Sequence, residues 1–398
     1  MRPHQDKLHM CRLAIIFLTL VTGGMAVGAP VVPVTGIVNG ATFQSPGAVA
    51  PGELVAVFGT DLATATQLAG TVPLPTSLGG ATATIGGVSV PLIYSSPLQI
   101  NLQIPWELAN MTNPQITVQT SSTGAPVTLT VLQSQPGIFT TNQSGSGQGA
   151  ILIANTASLA APAGAFPGSR PVQRGEYIEI FSTGLGPVFN TPPSGAVTPD
   201  GSSTLVFPPT VTIGGAAATV SFAGLAPGYV GLYQVNVQIP QAASVGNAVP
   251  LVLFAGTNAN TVTLAVAPQA IPDVTGAYSG TGTATTSRCI NPAENGTFSL
   301  AVTSIFSQSG NTFTGTLTAT TVVQGASVQF IDNISGTVDS LGALSGSLSG
   351  DEFINGGYDS SHQGTYTGSL SGNLFSIQTS IQETGGPCQT AASVTVSR

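Results

Sequence analysis

Short stretches in which apolar and polar side chains alternate recur about every ten residues along this chain of 398 residues, each bounded by Gly, Pro, Asn or Ser. Alternation sends successive side chains to opposite faces of an extended backbone, so each stretch predicts a half-buried strand. Residues 54–58, 177–181, 211–213 and 262–266 are the clearest. Helical periodicity is almost absent, and only 105–110 and 240–244 read as single helical turns. The pattern predicts an all-β chain of sandwiches or barrels. Its length accommodates roughly two to four domains, each with its own core.

The strand pattern repeats. Gly52-Glu53-Leu54-Val55-Ala56-Val57-Phe58-Gly59-Thr60-Asp61-Leu62 returns as Gly175-Glu176-Tyr177-Ile178-Glu179-Ile180-Phe181-Ser182-Thr183-Gly184-Leu185. Thr84-Ile85-Gly86-Gly87 returns as Thr212-Ile213-Gly214-Gly215, and Gln99-Ile100-Asn101-Leu102-Gln103-Ile104-Pro105 as Gln234-Val235-Asn236-Val237-Gln238-Ile239-Pro240. The order is the same in both copies, and the growing offset reflects longer loops in the second, the 226–229 region among them. Two tandem domains of one fold follow, 29–134 and 135–269. Ile-Gly-Gly is a hairpin signal, because glycine supplies the positive φ of a tight turn. Proline ends the Gln/Asn-apolar strand, since it cannot donate to the ladder.

These motifs, with Pro136-Gly137-Ile138-Phe139 and Gly147-Gln148-Gly149-Ala150 after them, resemble an uncharacterised bacterial secreted double module that is itself similar to the immunoglobulin-like IPT/TIG fold. The resemblance covers about residues 35–267. It implies two tandem Ig-like β-sandwiches in a secreted or cell-surface protein, and it brings no catalytic residue with it.

Composition changes near Pro268: the last third has less Pro, more Ser, Thr and Gly, and eight of the acidic residues. About eight alternating runs joined by short turns predict a separate domain over 270–398. The expected form is an up-and-down antiparallel β-barrel of lipocalin-like or avidin-like size. Cys289 falls after its first run and Cys388 before its last. First and last strands are neighbours in such a barrel, so a disulfide there would clasp the closing seam. A membrane barrel fits less well, because aromatic girdles and a terminal aromatic strand are missing.

At the other end, Arg2, Lys7 and Arg12 precede the apolar run 13–20, and Ala26-Val27-Gly28 supplies small residues. This reads as a signal peptide over 1–28, with a short transmembrane anchor as the rival. Export to the extracellular space or bacterial cell surface follows. Without those residues, four basic and fourteen acidic side chains remain, a net charge of −10 with no lysine. Nucleic acid and anionic lipid both require clustered Lys and Arg, so neither is an expected partner.

Catalytic chemistry is thin. Nucleophilic catalysis needs a base beside Ser, Thr or Cys, and after residue 28 the only histidine is His362, in a Gly- and Ser-rich stretch that reads as a solvated loop. With the cysteines paired, a zinc site lacks ligands. Asp332, Asp339, Asp351, Glu352 and Asp359 lie close in sequence, but their spacing matches no calcium loop, and such carboxylates usually serve turns. Cofactors and metals are not expected. Exposed aromatic rings stack on sugars and anchor interfaces. Trp106, Tyr278, Tyr358 and Tyr366 are the candidate ligand contacts, drawn from a set that also holds Tyr229 and Tyr233. Trp106 has no counterpart in the second copy, where Gln241 stands, and a domain-junction contact is its other reading. The expected function is non-catalytic: a structural or adhesive surface protein with the Ig-like modules as a stalk for the C-terminal head, binding a surface glycan or protein. The alternative is a binding protein whose barrel holds a glycan or a small apolar ligand.

Overall fold

The computed structural model describes residues 28–398 apart from Pro46, Pro199 and Thr257. The signal-peptide segment therefore lies outside the described residues, save Gly28. The chain is all-β and forms two compact units, one ending at Pro268 and the other spanning Gln269–Arg398.

In the first copy of the repeat, one sheet is ordered Ile37–Asn39, Leu54–Phe58, Gln99–Gln103, Leu92–Ser95, Gln67–Leu68. A second is ordered Val127–Thr128, Gln115–Gln119, Ala81–Ile85, Ser77–Leu78. Val55, Val57, Ile100 and Leu102 of one sheet share a buried core with Ala83, Ile85, Ile116 and Val118 of the other. In the second copy the strand Ala216–Leu225 pairs through its first half with Thr210–Ile213 and through its second with Tyr233–Gln238. A register shift between Val220 and Phe222 bends it on the way. One nine-stranded sheet results, around a core that includes Ile178, Ile180, Val235, Val237, Leu251 and Leu264.

The duplication reaches atomic detail. Val55 pairs with Leu102 and Ile178 with Val237, which are equivalent positions. Gly52 and Gly175 both sit at positive φ (80° and 86°). Each N–H donates to the residue before the repeat's proline, Ile104 or Ile239. Glu53 accepts from the N–H of Ala50 and Glu176 from that of Gln173, three residues back in each case. The Gln99 amide donates to Asn101 and the Gln234 amide to Asn236, both at 2.8 Å. Such side-chain and turn chemistry is set locally, so it survives where loops diverge.

The two copies are joined by buried and part-buried polar contacts, with the buried Asn39–Glu53 pair of the first copy beside them. Asn39 Nδ2 donates to Glu53 Oε1 and to the Gln135 carbonyl. The Leu54 N–H donates to Thr183 Oγ1, and the Gly195 N–H to Gln103 Oε1. Trp106 donates its backbone N–H to Ser194 Oγ and packs on the core of the second copy. Its ring lies so close over Gly52 that a Cβ there would overlap it. Trp106 is thus the junction contact. Trp106→Ala should lower the stability of this unit by about 2–3 kcal/mol, since a large, partly buried ring leaves a void. An unchanged urea midpoint for the variant would refute that packing role.

Gln269–Arg398 is a closed barrel of eight antiparallel strands in simple up-and-down order. They are β1 (Gly276–Ser287), β2 (Gly296–Ser309), β3 (Thr312–Val323), β4 (Ala326–Val338), β5 (Ala343–Ile354), β6 (Gly357–Ser371), β7 (Leu374–Glu383) and β8 (Gln389–Ser397). Tracing hydrogen-bonded partners once around from Ala277 returns to β1 at Ser287, ten residues along. That stagger gives the tilt a small barrel needs to close over packed side chains. Cys289 and Cys388 form a disulfide beside the β1–β8 seam. Inside, Tyr278, Phe306, Phe313, Tyr366 and Phe375 contact one another in tilted, stacked and edge-on pairs, with ring centroids 4.9–6.4 Å apart. Val302, Leu317, Ile334, Leu348, Ile377 and Val394 continue this buried core.

Candidate functional site

Polar chemistry in the barrel gathers on β4, β5 and β6, on both faces of the same three strands. On the inner face Asp332, Gly350 and His362 form one hydrogen-bonded row. His362 Nε2 lies 2.7 Å from Asp332 Oδ1, and both residues are buried. The Phe330 ring meets the imidazole edge-on, with centroids 5.8 Å apart. The pair bridges over β5 because position 350 has no side chain: a Cβ there would sit 2.7 Å from Asp332 Oδ1 and closer still to the Ile331 carbonyl oxygen.

The placement corrects two expectations. His362 is not a solvated loop residue, and Asp332 does not serve a turn; both line the barrel interior. The actual turn lies at Asn355-Gly356. The hydrophilic stretch 359–364 is strand, laddered to β5 from Ser360 on and to β7 from His362 on. Among the described residues the imidazole has one hydrogen-bond partner, Asp332. The arrangement orients and satisfies two buried polar groups, as buried pairs must be satisfied. Gly350→Ala should therefore cost about 2–4 kcal/mol, as overpacking and displacement of a buried hydrogen-bond partner combine. Equal denaturation midpoints for variant and parent would disprove the close approach.

The outer face differs. Between Glu352 and Phe353 the β5–β6 pairing shifts register: Glu352 is opposite Ser360, but Phe353 is opposite Tyr358. The extra residue, Asp359, is a bulge, and a bulge re-aims the side chains beyond it. Strict alternation from His362 would turn Tyr358 inward; the bulge turns it out, 63 % exposed. Its ring meets Phe353 edge-on at 6.2 Å. Its hydroxyl is 3.0 Å from Ser361 Oγ, which donates to Asp351 Oδ1 at 2.7 Å. Beside this chain, Glu352 has its pKa raised by burial and by the nearby charge of Asp359, against a hydrogen bond from Ser360.

Registered outward rows continue along the wall. Next to Ser361 and Asp351 comes the row Thr316, Asn333, Ser349, Gln363, and beyond it Thr314, Ser335, Ser347, Thr365. These two rows flank one stretch of a shallow groove of about 1140 Å³ that runs on across β7, β8 and β1, past Ser380, Gln389 and Thr285. The groove is on the outside, since Ile334 and Leu348 behind it are buried while the flanking hydroxyl and amide side chains are exposed.

Of the candidate ligand contacts, Tyr358 alone stands on this surface. Tyr278 and Tyr366 are only 3 % and 2 % exposed and belong to the aromatic core, so neither is the exposed contact expected of it. Tyr278 instead fixes the chain end: its hydroxyl accepts from Arg398 Nε and donates to the Val274 carbonyl. Tyr233 is wholly buried in the second copy of the repeat and donates to the Gly186 carbonyl. Asp339 does cap a turn, accepting from the N–H groups of Leu341 and Ala343. Among the described residues no three His, Cys, Asp or Glu side chains are placed to hold a metal ion. No helix of the described residues is long and apolar enough to cross a membrane. Phe353 escaped notice in the sequence, and only the bulge reveals it as half of a pair with Tyr358.

No family model matches the chain, and no curated protein matches it. Among solved structures, it is similar to the endo-fucoidan hydrolase MfFcnA4 from glycoside hydrolase family 107, at 14% identity and a TM-score of 0.15, over 76% of this chain and 40% of that one. A substituted form of the same enzyme gives 12% identity and the same TM-score, over 71% of this chain and 41% of that one. The chain thus spans less than half the length of these proteins.

Proposed function

We propose that this is a non-catalytic, exported structural or adhesive protein, in which the double module is a spacer and the barrel a head that recognises its partner through its outer wall. The single observation that carries the reading is the filled barrel. Five aromatic rings and the aliphatic residues around them occupy the interior where a lipocalin-like protein would hold its ligand. Recognition is left to the outer wall, where Tyr358, Asp351 and the hydroxyl rows stand exposed or half-exposed. The spacer reading is supported by the buried and part-buried contacts between the two copies, which tie them as a stiff joint does and a flexible linker does not. Reading the copies as Ig-like sandwiches of the IPT/TIG kind rests on the repeated motifs and their repeated register.

Beads coated with the full chain should attach to cells or to cell-wall material, and beads coated with a chain lacking 270–398 should not. Failure of full-chain beads to attach to any surface would sink the adhesive reading. Uptake of a small apolar fluorophore into the barrel would favour the ligand-carrier alternative.

A further inference from the structure

We propose that the outer wall of β4–β6 is a binding site for an uncharged polysaccharide, with the Tyr358 ring as the stacking platform and Asp351 and Ser361 as the hydrogen-bonding pair beside it. This deepens the adhesive reading and rests on it.

Three observations converge. First, Tyr358 is a large aromatic side chain left 63 % exposed, while every other aromatic residue on β1–β7 is buried or partly buried. The Asp359 bulge aims it outward, and Phe353 meets it edge-on, which leaves a ring face free. A flat ring with a fixed edge is what pyranose C–H groups stack on, and a rigid ring loses little entropy in doing so. Second, the polar groups nearest the ring are neither spent in the sheet ladder nor isolated. Tyr358 Oη, Ser361 Oγ and Asp351 Oδ1 form a connected chain. A carboxylate oxygen with spare lone pairs accepts from the vicinal hydroxyls of a sugar. Third, the wall continues through Gln363, Ser349 and Asn333 into a groove whose flanks hold hydroxyl and amide groups in register. Successive outward rows lie roughly 7 Å apart, so ring, acid and groove together span several sugar units.

Charge selects the polymer. Asp351 and the bulged Asp359 stand beside the platform, and the basic residues of the barrel are Arg288, just after β1, and Arg398, at the chain end. A sulfated or uronic polymer would meet the like charge of Asp351 and Asp359 at the ring itself. A neutral one meets donors and acceptors only.

Affinity electrophoresis of the full chain through gels containing hydroxyethyl cellulose, laminarin, galactomannan or glycogen, with dextran sulfate as the anionic control, tests the site. At least one neutral polymer should retard the protein, with little dependence on salt. Tyr358→Ala should weaken that retardation roughly tenfold, as loss of an aromatic anchor does. Tyr358→Phe, which keeps the ring, should retain most of it, and Asp351→Asn should weaken it without altering the unfolding midpoint. Retardation by dextran sulfate alone, by no neutral polymer, or equally in Tyr358→Ala and the parent would overturn the site. If coated beads still attach to cells stripped enzymatically of surface carbohydrate, the adhesive reading stands and this site falls.

Discussion

Reducing the Cys289–Cys388 disulfide should lower the stability of the barrel by about 4–5 kcal/mol, and leave the double module unchanged. The bridge links positions 99 apart, about three quarters of the barrel domain, and it sits where the first and last strands meet. A cross-link closing so long a loop removes much of the freedom of the unfolded chain, and the folded barrel loses little by it. The effect is large because nearly all β1–β8 contacts join residues more than a hundred positions apart; without the bridge the seam must close against the full loop entropy. The only other cysteine is Cys11. Hydrogen exchange at increasing urea, with and without reductant and read peptide by peptide, separates the two units. A Cys289→Ser, Cys388→Ser protein should behave as the reduced one does. A barrel transition that ignores both reductant and substitution would show that the seam closes without its clasp.

Much of this architecture was legible because the signals are periodic. Inward and outward positions along 312–321 and 344–350 follow the sequence alternation, and the cysteine positions suit a barrel whose end strands meet. The repeat, too, could be aligned through Gly52 and Gly175, because one backbone conformation at each dictates glycine. What could not be read was everything set by a break in period. The bulge at Asp359 inverts Tyr358 relative to His362, and nothing in Tyr358-Asp359-Ser360-Ser361-His362 marks which residue is the extra one. The same stretch looks like a turn by composition, since Asp and Ser favour turns. Here they are bulge, interior and wall positions of a strand held on both sides by its neighbours. Tyr278 and Tyr366 illustrate the converse: a tyrosine in a Ser/Thr/Gly-rich strand looks like a surface contact, yet its inward parity with Ala284 and Leu370 decides its place. Trp106 required knowledge of the partner surface, which no local pattern carries.

The stability of the double module should fall as pH rises from about 5 to about 8 and then level off, with Glu53 responsible. Glu53 is fully buried between the two copies, 1 % exposed, and burial pushes its pKa up to about 8, against the pull of hydrogen bonds from the Ala50 N–H and the Asn39 amide. Its duplicate, Glu176, faces Arg170 at the surface and is shifted the other way by that partner. An unfolded chain gives up the Glu53 proton above about 4.5, whereas the native protein holds it to about 8. Between these values the native state binds the extra proton, so stability is greatest below the lower value and declines as pH climbs through the window. The slope approaches about 1.4 kcal/mol per pH unit, and the whole descent is on the order of 5 kcal/mol. Glu53→Gln removes the charge and so the slope. It also loses one of the two hydrogen bonds, because Asn39 Oδ1 is already committed to the N–H groups of Ala41 and Thr42 and the amide cannot turn over. That loss costs about 1–2 kcal/mol at every pH. The two stability curves should therefore cross, with the parent more stable near pH 5 and the variant more stable near pH 9. Urea denaturation followed by Trp106 fluorescence across this range gives both curves, and parallel curves would place the origin of any pH dependence elsewhere than Glu53.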